Sequence, residues 1–172
     1  DDLARCFPEA LKGIKFEDFF KAINVIEPSL IRVESDETTY DFHIMLRVEI
    51  ESMLIDGSLK VKDLPEMWNN QVEKYLGLKV PDDSLGVLQD IHWSGGQFGT
   101  FCNYTIGNVM AAQLMGHMKK NDPKILSSLK VANYEPIFDW LKRNIHQHGR
   151  RYSRNELLKL ATGRTLDPDP YL

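Results

Sequence analysis

The segment Gly86-Val87-Leu88-Gln89-Asp90-Ile91-His92-Trp93 concentrates groups that can do chemistry, and Gly95, Gly96 and Gly99 follow it closely. Glycine tolerates positive φ and lets a backbone approach a ligand. Long irregular segments in compact proteins are usually working loops. His92 offers a ring N–H and Tyr104, just downstream, a phenol. Two such donors aimed at one point suit a developing oxyanion. The alternative is that His92 and Trp93 pin the loop to the core. Upstream, Arg32 stands among Glu34, Asp36 and Glu37. A guanidinium fork matches the two oxygens of a carboxylate, so Arg32 is a candidate for gripping an acidic group, with a structural ion pair as the other reading. Tyr40, His43, Arg47 and Glu51 recur at helical spacing on one stripe. On an otherwise apolar helix these groups need either a satisfied internal network or a wet cleft. No HExxH or CxxC occurs, so metal-ligand spacing is missing. His146 and His148, two apart, would point to different faces of a helix end.

The elements that must position these residues read as helices. Phe16 to Ile23 forms a short helix that ends near Pro28. The stripe above lies on a helix from about Asp36 to Ile55, stopped by Asp56-Gly57. Leu59-Lys60-Val61 suits a short extended piece. Asp63 caps a further helix with Pro65 in its first turn, and Gly77 ends it. An irregular stretch from Val80 to about Asn103 holds the chemical loop. Helices follow over Tyr104–Lys120, Pro123–Leu129, Glu135–His148 and Arg154–Ala161. His117 lies on the apolar stripe of the first of these, where a core histidine is expected. The expected class is all-α, with a Gly-rich loop and at most a minor strand pair, in one helical region over 1–172.

Composition narrows the function. Hydrophobic residues make up 42%, charged residues 27%, and the net charge is −4. No basic stripe invites nucleic acid, and no apolar run reaches the roughly 18 residues needed to span a bilayer. Two distant cysteines, Cys6 and Cys102, fit reduced thiols in a cytoplasmic protein better than a disulfide framework.

Two segments resemble signature motifs of the Taq-type zinc carboxypeptidases. Residues 31–36, IRVESD, look like that family's [IV]RxxAD, with Ser35 in place of alanine. Residues 86–93, GVLQDIHW, match its GxxQDxHW throughout. The flanking stretches PSLIRVESDETTYDFHIMLR, DLPEMWN, YTIGNVMAAQ and ELLKLATGRTL are also similar, so the resemblance extends from about residue 7 to 172. It departs at Thr100, Cys102 and Asn103, where the family commonly reads GYFPTY.

The resemblance implies the C-terminal part of a zincin-like peptidase cleft, from a cytoplasmic and homodimeric parent enzyme that removes C-terminal residues from peptides with broad specificity. Zinc, the expected cofactor, would be held by HExxH and a downstream glutamate, neither of which lies in this chain, so the chain alone is expected to be inactive. Arg32 would bind the substrate carboxylate, with Gln89 and Asp90 as further substrate-site residues and Asp90 orienting His92. His92 with Tyr40 or Tyr104 would donate to the oxyanion. The rival expectation is a non-catalytic helical binding or scaffold module that kept the fold without the chemistry.

Overall fold

Glycine and proline punctuate the chain, and helices fill the intervals. In the computed structural model, which describes residues 2–172, regular structure consists of α-helices and short 3-10 turns, with no strand among the described residues. The chain divides into two compact units, one ending at Phe101 and the other spanning Cys102–Leu172.

The first unit holds α1 (Asp2–Cys6), α2 (Phe16–Ile23), α3 (Tyr40–Asp56) and α4 (Leu64–Leu76). Helix α3 starts four residues later than its apolar pattern suggests, because Asp36 folds a turn ahead of it. The Asp36 carboxylate accepts hydrogen bonds from the backbone N–H of Thr38 (2.8 Å) and Thr39 (2.9 Å), the Thr39 hydroxyl (2.8 Å) and the N–H of Glu27 (3.1 Å). Desolvation works against its charge, but the bonds from Thr39, Glu27 and Thr38 outweigh it and hold its pKa below the ordinary value. Side chains on α3 then meet α4: Leu46 and Ile50 pack with Trp68, Val72, Leu76 and Leu59 into the core of this unit. Residues 59–61 contain no extended pair. The chain instead makes a 3-10 turn over Val61–Asp63 that leads directly into α4. Asp63 occupies the capping position, but its side chain makes no capping bond; Pro65 sits in the first turn as expected.

The second unit holds α5 (Cys102–Asn121), α6 (Lys124–Leu129), α7 (Glu135–Asn144) and α8 (Arg154–Thr162). Its buried apolar residues are Val109, Met118, Ile125, Leu158 and Ala161. Helix α7 is shorter than its sequence pattern suggests. Ile145 leaves helical geometry at φ −125° and ψ −65°, and a 3-10 turn over His146–His148 follows. Helix α8 opens with a reciprocal cap between Ser153 and Glu156. His117 is half-buried with its ring 5.9 Å from that of Trp140, so it packs as a core histidine.

Removing buried side-chain volume in the α3–α4 core loses both transfer energy and packing. Ile50, at 0% exposure, and Ile55, at 73%, lie on the same helix. Ile50→Ala is expected to cost about 2–5 kcal/mol in urea unfolding, and Ile55→Ala within about 0.5 kcal/mol. Equal losses would contradict this packing.

Candidate functional site

The chemical loop folds against α3 through a network centred on Asp90. Arg32 lies in a 3-10 turn over Arg32–Glu34 ahead of α3. Its Nε and Nη2 donate to one Asp90 oxygen, at 3.1 and 2.7 Å, and its Nη1 donates to the Tyr40 hydroxyl at 3.0 Å. Arg47, on α3, donates to the other Asp90 oxygen from Nε at 2.7 Å, and its Nη2 lies in ion-pair contact with that oxygen at 2.6 Å. Its Nη1 reaches the His43 carbonyl at 2.6 Å. Two guanidinium groups thus share one carboxylate, leaving the trio one positive charge in excess.

Gln89 completes the clamp. Its Oε1 accepts from the backbone N–H of Arg32 and from Arg47 Nη2, both at 2.9 Å, while its Nε2 donates to the carbonyls of Leu30 (3.0 Å) and Gly86 (3.1 Å). Ser35, which replaces the alanine of the resembling motif, donates its hydroxyl to the Arg32 carbonyl at 2.7 Å, so the substitution introduces a satisfied polar group. Backbone sterics explain two loop glycines. A side chain at Gly86 would meet Val80 at 2.8 Å and the Asp82 carbonyl at 3.2 Å. Gly99 sits at φ +73°, where other residues are strained.

Aromatic rings floor the site. The Arg47 guanidinium carbon lies 4.6 Å from the Trp68 ring centre and 5.4 Å from that of Phe101; Arg32 lies 5.7 Å from Phe101. Such cation–ring contacts favour a charge already removed from water. Trp93 donates its indole N–H to Glu51 at 2.9 Å, and its ring meets Trp68 and Phe101 edge-on. His92 packs its ring 4.4 Å from that of Phe101. Its Nδ1 lies 3.8 Å from Asp90, within electrostatic reach but beyond a hydrogen bond.

Burial sets the charges. Desolvation opposes ionisation of Asp90, but the Arg32 hydrogen bond and the Arg47 charge hold its pKa below the ordinary range. Burial pushes Arg47 down to about 10, against the pull of Asp90, which leaves it charged at neutral pH. Burial also lowers Arg32, but the Asp90 and Tyr40 bonds reverse this and raise it overall.

Arg32, Tyr40, Gln89, Asp90 and His92 therefore meet in the first unit. Tyr104 belongs to the second, on the first turn of α5, with 41% of its surface exposed. Arg47, Glu51 and Trp93 turn out to be integral to the site. The signal for Arg47 and Glu51 in the sequence was the polar stripe on α3, while Trp93 stood out beside His92 in the loop; the match of stripe to loop shows only once the chain is folded. Two sizeable hollows lie elsewhere: about 440 Å³ beside α1 and α2, and about 340 Å³ near the end of α5; neither is lined by Arg32, Tyr40 or His92. No group of three or more His, Cys, Asp or Glu among the described residues could hold a metal ion. The described side chains thus do not form a metal-ligand set.

His43 is 1% exposed, and its Nε2 has no hydrogen-bond partner among the described residues. Burial, then the charges of Arg47 and Arg32, depress its pKa from 6.5 to about 4, so it is neutral in the folded protein at neutral pH. Between those values the unfolded chain binds the proton and the folded one does not, so stability falls as pH drops from about 6.5 to about 4. The accumulated loss is roughly 3 kcal/mol. An NMR titration is expected to place His43 below pH 5; a value near 6.5 would contradict the buried, cation-facing position.

Comparison with known proteins agrees with the motifs. The profile of the carboxypeptidase Taq (M32) metallopeptidase family matches residues 1–172. Thermostable carboxypeptidase 1 of Pyrococcus furiosus is 42% identical over 91% of this chain and 31% of its own length. Carboxypeptidase 1 of Bacillus subtilis is 42% identical over 93% of this chain and 32% of its own. The crystal structure of the M32 carboxypeptidase from Deinococcus radiodurans R1 superposes with a TM-score of 0.92 at 38% identity, covering 99% of this chain and 34% of that one. The chain spans about a third of the length of the curated relatives it matches. No helix in the described residues is long and apolar enough to cross a membrane. With the IRxxAD-like and QDxHW segments joined through Asp90 and the match running along the whole sequence, the chain belongs to the carboxypeptidase Taq (M32) metallopeptidase family.

Proposed function

We propose that this chain is the C-terminal part of a zinc-dependent carboxypeptidase catalytic domain and forms the wall that recognises the free carboxyl end of a peptide. The observation that carries this is the clamp itself: Arg32 and Arg47 both lean on Asp90, and Arg32 also donates to the Tyr40 hydroxyl, beside His92. A guanidinium fork suits an incoming carboxylate, and Arg32, at the turn ahead of α3, receives it. Gln89 fixes the Arg32 backbone. The Tyr40 hydroxyl accepts from Arg32, so its own proton points away from the guanidinium and is available to an oxyanion. His92 is the second donor. Residues outside 2–172 hold the metal; stoichiometric zinc on the purified 172-residue chain would contradict that.

The same family reading extends to a cytoplasmic, homodimeric parent with broad specificity for peptide C-termini. Supporting further protein contacts, Phe16, Phe20 and Ile23 of α2 lie 73%, 52% and 62% exposed. One observation favours the rival, a scaffold without chemistry: Arg32 is only 7% exposed and already bonded to Asp90 and Tyr40.

Arg32→Ala in the full-length, metal-loaded protein separates the two. Loss of a charge-assisted contact is expected to weaken binding of peptides with a free carboxyl end by about 10- to 100-fold, and binding of their amides far less. Equal weakening of both would defeat the assignment.

A further inference from the structure

We infer that Arg47 is the positioning residue of this site: from inside the core it fixes the direction in which Arg32 and Tyr40 face a peptide's carboxyl end. The inference rests on the reading of Arg32 given above. The Arg47 side chain is 0% exposed, so it meets no substrate. Yet each loop acceptor it holds also holds Arg32. Its Nε donates to one Asp90 oxygen, with Nη2 in ion-pair contact with it, and Arg32 takes the other. Its Nη2 also reaches Gln89 Oε1, which accepts the Arg32 backbone N–H as well. Arg47 therefore governs both the main chain and the side chain of Arg32. From Arg32 the constraint passes to the Tyr40 hydroxyl.

Stability alone does not account for such a residue. A buried ion pair replaced by apolar groups of similar size is often no less stable. What a charged, planar fork adds is direction, because it fixes several acceptors at once in one plane. Arg47 spends its plane in this way: two acceptors on the loop, one on its own helix at the His43 carbonyl, and its face toward Trp68. Lysine would keep the charge and lose the plane. Supporting residues of this kind hold a binding group within the narrow tolerance that recognition needs.

The test uses the full-length, metal-loaded protein and its Arg47→Lys variant, with folding checked by circular dichroism and melting temperature. Two quantities are read: the NMR signal and solvent exchange of the Arg32 Nε–H, and KM against kcat for an N-blocked peptide with a free carboxyl end. In the folded variant the Arg32 Nε–H signal is expected to shift and to exchange about tenfold faster, and KM to rise about tenfold, with a smaller fall in kcat. An unchanged Arg32 signal with unchanged KM would overturn the inference. If Arg47→Lys does not fold, Arg47→Met replaces the buried ion by an apolar chain of similar length and leaves the Arg32 bonds to Gln89 and Asp90 in place; the same shift is expected, and its absence overturns the inference. The two readings fail separately. An Arg32→Ala protein that still prefers free carboxyl ends defeats the carboxylate role, while the NMR signal continues to report whether Arg47 directs Arg32.

Discussion

One carboxylate shared by two buried guanidinium groups holds this region together. Asp90 sits in an irregular loop with no helix to stiffen it, yet both of its oxygens are engaged, one by Arg32 and one by Arg47. Taking any one of these charges out of water alone would cost several kcal/mol. Together, with Gln89, Tyr40 and the aromatic rings of Trp68 and Phe101 around them, the groups offset that cost. The loop is thereby fixed to α3 and to the turn ahead of it at points more than forty residues apart in sequence. The arrangement also explains why so polar a stripe is tolerated on a helix that otherwise buries Leu46 and Ile50: His43 stays neutral, Arg47 is paired and Glu51 receives the Trp93 indole.

The same constraint links fold to function. Under the proposed function, the clamp presents Arg32 to the carboxyl end of a peptide. The loop glycines serve the clamp. Gly86 brings the loop close against Val80 and places its carbonyl where Gln89 can reach it.

Much of this was legible in the chain itself. The all-helical class followed from the 3.6-residue spacing of apolar residues, and the ends of α3 and α4 from Gly57 and Gly77. Arg32, Gln89, Asp90 and His92 stood out by type and spacing. Less legible was what depends on folding. Asp36 looked like the start of a helix, but its side chain found four nearby donors and made a turn instead. Leu59 to Val61 has strand-like residues but no partner strand, and the short link to α4 took a 3-10 turn. Arg47 read as one member of a polar stripe. Its weight comes from long-range pairing with Asp90, which no local pattern encodes. Tyr104 follows the loop in sequence but belongs to the second compact unit.

The most direct test is a double-mutant cycle on stability, using Asp90→Asn, Arg47→Met and the pair together in denaturant unfolding. If the shared carboxylate organises the region, each single change leaves the other group buried without its partner, and the two effects are far from additive. The expected coupling is about 1–3 kcal/mol. Additivity within about 0.5 kcal/mol would mean that Asp90 and Arg47 act independently, and would contradict the central place given to their pairing.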